Sequence, residues 1–430
     1  MIAMELQHRI AAGKRKIRIM ALDGIRGLLA LHIVFGHFLR FAGPSKFWMK
    51  FFAQVNVTVG VFFALSGYAT AYTCTRVGEN ETSVAFQASS WKQWWVSKAI
   101  VFYKVHWFVL LLFGPFFVYS DVSAAFSVEK GLATLVTNGI LSATLTQAWF
   151  PTGHAEIWNA PTWFLSSLVF CNLVLAIALP GISRMHKGGL RIASIWLYWI
   201  NLLPVLGYFW ISRNTNCWRL VEGTTRPIDH PSLGLFNVVR FFPVCNAAET
   251  LMGALACRLV MLDSSLSRNG RQGTEFFSSI KRSIAPTLSV MIPFGTIIGM
   301  LVGRATDWIP DCSDLLIRKC IVIPVFLNLA MALHRNALLA NQSTIRKDPV
   351  SILLSTNAMV WLGNLSFPVY ILHGPIGQVF YKRAIATKLW GGVLRGKGYF
   401  ALYLATVLLT AILVQKMFSN RSIVNAANKK

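Results

Sequence analysis

Apolar residues run along this chain in blocks of about 20, separated by short basic or Gly/Pro-bearing stretches. A helix of about 20 residues is about 30 Å long, the thickness of the hydrocarbon layer of a bilayer. Blocks that predict such helices lie near 20–41, 54–75, 99–120, 131–150, 161–180, 191–211, 236–258, 284–303, 316–334, 357–381 and 399–418. The weakest is 131–150, which carries Thr134, Thr137, Asn138, Ser142, Thr144, Thr146 and Gln147. The pattern predicts an all-α fold, a polytopic integral membrane helical bundle of 10–11 transmembrane helices. It divides the chain into a basic N-terminal segment 1–19, a membrane domain 20–418 and a polar tail 419–430. The longest polar stretches, 76–98, 212–235 and 259–283, are too short for a further domain.

Composition removes the soluble alternative. Hydrophobic residues make up 55% of the chain and charged residues 13%. The charged share is about half the usual ~25%, too little to cover a soluble protein of this size. The net charge of +25 would point to nucleic acid in a soluble protein. Here Lys and Arg sit between apolar blocks, where they meet lipid phosphates and help fix topology. The expected partner is therefore the lipid bilayer, with no nucleic acid. Arg9, Lys14, Arg15, Lys16 and Arg18 precede the first block and place the N-terminus on the cytosolic side. No small-residue cleavage pattern follows that block, which reads as an anchor and not as a signal peptide.

Seven cysteines show no metal-ligand spacing, and the intramembrane histidines are not spaced as a cluster, so no metal is expected. A disulfide such as Cys217–Cys312 is allowed by the sequence but not argued for by it.

Ionisable groups inside apolar blocks mark candidate chemistry, because each costs at least about 2.5–3.5 kcal/mol at a helix centre. In the first block Asp23, Arg26 and His37 share one stripe. Arg26 and His37 are 11 residues apart, about three turns, with only ~20° of offset and ~16 Å of rise. His32 falls more than a right angle away. This puts Arg26 near the membrane surface and His37 near its middle. A cationic anchor and a general base fit the pair; snorkelling and a satisfied core histidine fit it equally well.

Five other segments add to the picture. Gly60, Ser66 and Gly67 in the second block read as close-packing residues. Lys98 and Lys104 open the third block, where they meet either phosphates or the interface. Trp163 fits an interfacial aromatic belt, and Ser166 and Ser167 fit hydrogen bonding between helices. Arg240 and Glu249 are half a turn out of phase, so each needs a partner on another helix. Glu249 lies among Ala247, Ala248, Gly253 and Ala254, which predicts a tightly packed interior site. In the tenth block Ser366, Tyr370 and His373 share one face, and Pro368 and Pro375 free backbone carbonyls.

Four of these segments, in this order, resemble the acyltransferase 3 family of integral membrane O-acyltransferases. LDGIRGLLALHIVFGH (22–37) is similar to the family's opening signature, and VGVFFALSGY (59–68) to its second. RFFPVCNAAETLMGA (240–254) and LGNLSFPVYILH (362–373) resemble its later segments. The resemblance covers about residues 20–418. It implies transfer of an acyl group, usually acetyl, from acyl-CoA as cosubstrate to a hydroxyl-bearing acceptor such as a carbohydrate, with no other cofactor. By motif position, His37 and Arg26 match the family's essential histidine and arginine. Asp23 would orient Arg26, Lys98 or Lys104 would help hold CoA phosphates, and Ser366, Tyr370 and His373 would line the acceptor side. Where the family often opens its third helix on two arginines three apart and then a proline, this chain has Lys98, Val101 and Lys104. After the segment WFLSSLVF it also lacks the family's frequent glutamate. A transporter or channel for a polar solute, or an inactive relative, are the competing classes, since polar residues at mid-membrane serve a solute path equally well.

Overall fold

The computed structural model describes residues 16–76, 79–87, 89–124, 128–212, 232–266, 276–309, 314–340 and 348–427. The Cys217–Cys312 pairing and most of the basic N-terminal cluster lie outside the described residues.

The main helices are α1 (Met20–Phe38), α2 (Lys46–Ala53), α3 (Val55–Cys74), α4 (Trp91–Ala124), α5 (Val128–Ala143), α6 (Trp163–Arg184) and α7 (Lys187–Ser212). They continue with α8 (Leu233–Phe241), α9 (Pro243–Leu266), α10 (Phe276–Ala305), α11 (Ile323–Ala340), α12 (Asn357–Tyr381) and α13 (Lys397–Ala427). A helical turn (Asp314–Ile317) and a π-helical turn (Arg318–Val322) lead into α11. Among the described residues, nine helical segments are long and apolar enough to cross a membrane. The helix α12 is 25 residues long and has the length to cross, although its polar stripe makes it less apolar. The block 131–150 folds differently from the other ten. Its helix α5 has 16 residues, about 24 Å, and the chain then turns at Leu145 into an irregular return that runs to Thr162. That return is buried against protein at Gln147 and Asn159, the setting in which non-helical backbone is tolerated at depth. The polar stretch after Phe418 continues α13 to Ala427.

Two close helix pairs organise the interior, and each joins two of the segments quoted above. The helix α3 packs on α9 through Gly67 and Gly253. A Cβ on Gly67 would stand 1.8 Å from the Thr250 carbonyl oxygen, and one on Gly253 would stand 1.9 Å from that of Ala64. The helix α1 packs on α12 in the same way, through Gly27 and Gly363. Only residues without a Cβ permit this approach. Around these pairs, α7 turns Trp196, Trp199, Leu203 and Trp210 outward, as expected for a lipid-facing helix.

Buried ion pairs tie the later helices to this interior. Arg318 donates from Nε and Nη2 to the Glu249 carboxylate at 2.9 and 2.5 Å, and Lys319 reaches it at 3.3 Å. Asn246 and Asn56 accept further bonds from Arg318, and Asn201 and the Cys245 carbonyl accept from Lys319. Gly60 lies against the Arg318 side chain, where a Cβ would stand 2.3 Å from Nε. Nearby, Arg304 meets Asp314 at 2.5 Å and Gln54 at 2.9 Å. Glu249 thus finds its partners on another helix, as its phase demanded. Arg240 finds one on the irregular return, Glu156 at 3.6 Å.

Candidate active site

The bundle end carrying residue 16 opens into a cavity of about 290 Å³. Arg26 of α1, Ser66 and Thr73 of α3, Lys98 of α4, Asn172 of α6, and Ser366 and Tyr370 of α12 give it polar groups. Phe62, Leu65, Phe102, Phe164, Leu168 and Phe367 form its apolar wall. Cations thus stand with an oily interior, an arrangement suited to an anionic head and an apolar or uncharged tail.

The mouth is held in place by Asp23. Its carboxylate accepts from Arg26 Nη2 at 2.6 Å and from Arg18 Nε at 2.8 Å. Arg18 also reaches Asn364 Oδ1 on α12 at 3.0 Å, fastening α1 to α12 at this end. Lys98 sits over the Trp94 ring at 5.7 Å. Lys104 is elsewhere. It lies about 120° around α4 from Lys98, exposed and outside the cavity lining.

Deeper along the same two helices, His37 and His373 meet. Nδ1 of His37 is 3.0 Å from Nε2 of His373, with ring planes within 12°. Neither histidine lines the cavity, and Tyr370 stands between: it lines the wall, and its ring centroid is 5.7 Å from that of His373. The Tyr370 hydroxyl donates to the Pro161 carbonyl. Ser366 and Tyr370 therefore share one cavity with Arg26 and Lys98, while His373, expected beside them, pairs with His37 one turn further in. His32 is outside this group and bonds to Thr58 Oγ1 at 2.8 Å.

The prolines of α12 explain part of this local shape. Each removes the N–H that would meet the carbonyl four residues earlier. Pro368 frees the Asn364 carbonyl, which accepts from Gln415 Nε2 at 3.2 Å. Pro375 frees the Ile371 carbonyl, which accepts from Asn159 Nδ2 at 2.9 Å. Beyond the histidines a second cavity of about 200 Å³ is lined by Thr152, Glu156, Asn237 and Arg240, among others.

A family model described as an acyltransferase domain matches residues 19–415, nearly the whole chain. The chain belongs to the acyltransferase 3 family. No curated protein and no solved structure matches it. This membrane acyltransferase therefore carries Arg26 of its cavity mouth and the His37–His373 pair on the two helices that hold the first and last of its recognised segments.

Several residues of this acyltransferase escaped the sequence reading. Asn172 in the cavity wall, and Arg318, Lys319 and Arg304 in the ion pairs, were all visible as polar groups in or beside apolar blocks. Which cavity or acid each would meet depends on helix packing, which periodicity does not give. Trp163 differs from its expected place in an interfacial belt. It is 5% exposed and packs edge-on against Phe241 at 4.8 Å. His106 and Ser167 serve helix contacts, with bonds to the Ser142 and Phe241 carbonyls at 2.8 Å each. Among the described residues no group of three metal-ligating side chains occurs.

Proposed function

We propose that this protein transfers an acyl group, acetyl in the simplest case, from cytosolic acyl-CoA to a hydroxyl of a carbohydrate or other small acceptor. The observation that carries this reading is the run from the Arg26–Lys98 mouth, through the apolar cavity, to Tyr370 and the His37–His373 pair. Cations at the mouth match the CoA phosphates. About 16 Å of helix rise separates Arg26 from His37, a span that the extended arm between those phosphates and the thioester suits. The acceptor hydroxyl then reaches His37 from the opposite end, past the cavity lined by Glu156, Asn237 and Arg240.

In the reaction the acceptor oxygen attacks the thioester carbonyl while His37 takes its proton. The tetrahedral intermediate collapses, the C–S bond breaks, and the departing thiolate recovers the proton as CoA thiol. Ester and thiol are the products, and no acyl-enzyme is required. Arg26, held by Asp23, keeps the donor seated, and Lys98 adds a second cation; Lys104, exposed on another face of α4, has no part in it.

The test is label transfer from radiolabelled acetyl-CoA in membranes carrying wild type or His37→Ala, with glycans and cell extract as acceptors. Labelled product with wild type alone supports the reading. Equal transfer by folded His37→Ala, or none by folded wild type, removes it.

A further inference from the structure

His373 is fully buried, and both of its ring nitrogens are engaged. Its Nδ1 lies 2.5 Å from the Tyr370 carbonyl oxygen, one turn back on α12. A carbonyl has no proton to give, so Nδ1 of His373 carries the hydrogen. A neutral imidazole has one N–H, so Nε2 of His373 is left as an acceptor. The atom facing it at 3.0 Å is Nδ1 of His37, which must then be the donor. His37 Nε2 is left with the lone pair. The ring planes lie within 12° and the centroids are 5.2 Å apart. That separation exceeds the N···N distance by about two ring radii, so the rings meet edge to edge in nearly one plane, as a straight hydrogen bond requires.

We infer that His373 is a positioning residue that fixes the tautomer of His37, making Nε2 of His37 the atom that takes the acceptor's proton. The inference rests on the O-acyl transfer reading above. It gives His373 the role that an orienting group plays beside a catalytic imidazole: it sets which nitrogen is basic and shares the charge once the proton arrives. The backbone around His373 is built to keep it still. Its carbonyl accepts from the Tyr403 hydroxyl at 3.1 Å. Gly374 lies against Asn159 and Pro161, and Gly377 against the Phe38 ring, with room for no Cβ at either. The orienting acceptor is thus an imidazole nitrogen and not a carboxylate, so the pair is neutral at rest in a setting where a lone charge is costly. On proton transfer the new positive charge spreads over two rings, with the Tyr370 carbonyl at the end of the chain.

Two measurements test this on the full-length protein in detergent or lipid. Nitrogen NMR of ¹⁵N-histidine-labelled wild type, with His37→Asn to assign the signals, should show His37 with hydrogen on Nδ1 and none on Nε2. Hydrogen on Nε2 overturns the inference whatever the variants do. Kinetics with acetyl-CoA and the acceptor pool found by labelling should show kcat falling about 10²- to 10⁴-fold in His373→Phe, with KM for acetyl-CoA unchanged. His373→Gln, whose side-chain oxygen can accept the same N–H, should stay within about tenfold of wild type. Equal losses in folded Phe and Gln variants, or no loss in Phe, overturn it. These outcomes are separate from failure of the acyl-transfer reading, which would show as full activity in His37→Ala.

Discussion

Gly363 and Asp23 meet backbone to backbone: a Cβ on Gly363 would stand 1.9 Å from the Asp23 carbonyl oxygen. The contact sets the distance between α1 and α12, and hence between Arg26 or His37 on one and Ser366, Tyr370 or His373 on the other. Gly363→Ala must push these helices apart, because the obstacle is backbone and not the tip of a flexible side chain. Overpacking usually costs about 1–3 kcal/mol, and this site should lie at the upper end. The expected result is a lower melting temperature in detergent and loss of most label transfer. Gly207→Ala, with nothing within 4 Å of its added Cβ, should keep both.

Glu249 balances two cations at a site with no exposure. Glu249→Gln removes the negative charge and leaves Arg318 and Lys319 facing a neutral amide. Breaking a buried pair in this way costs about 3–5 kcal/mol. Poor folding yield and a strongly lowered melting temperature are expected. Lys319→Met in the Glu249→Gln background should recover part of the loss, since one buried charge is removed. Identical melting curves for wild type and Glu249→Gln would contradict the ion-pair account.

The cavity mouth separates the three cations of the sequence reading. Arg26→Ala is expected to raise KM for acetyl-CoA by about 10- to 100-fold, the worth of one charge-assisted contact. Lys98→Ala should raise it less, because Lys98 is more exposed and screened. Lys104→Ala should leave KM within about twofold, since an exposed charge outside the cavity contributes little. A large effect at Lys104 with none at Arg26 would move the donor site away from this cavity.

Much of this arrangement was readable in the sequence because helix periodicity reports which residues share a face. Asp23 and Arg26 are bonded, His37 and His32 meet different partners, and Glu249 does lie among close-packed small residues. Periodicity does not report what the opposite helix presents. It could not say that His373, on the face of Ser366 and Tyr370, would lie past the cavity and meet His37, because that depends on how α1 crosses α12. It could not distinguish Lys98 from Lys104 either, since both open the same block and only the neighbours of α4 decide which faces inward. The stretch 131–150, the weakest block, is short of a crossing: Thr134, Thr137, Asn138 and Ser142 lie in the 16-residue helix α5, and Thr146 and Gln147 already belong to the return.

Asn159 and Pro375 act on the same carbonyl, one by supplying a donor and the other by withholding one. Asn159→Ala leaves the buried Ile371 carbonyl without a partner and should cost about 1–3 kcal/mol. Pro375→Ala restores the helical N–H, so the double variant should be more stable than the sum of the single effects. Detergent melting of the four proteins forms a double-mutant cycle, and simple additivity would show that the carbonyl is satisfied in another way.

The ion cluster at Glu249 also bears on how the chain enters a membrane. The segment with Arg318 and Lys319 is a poor candidate for release into lipid alone, since each such cation is penalised by about 2.5–3.5 kcal/mol at depth. Its counter-charge lies in α9, about 70 residues earlier in the chain and therefore made first. Entry of α11 is thereby conditional on a helix already waiting, and the order of synthesis becomes part of the information that specifies the bundle.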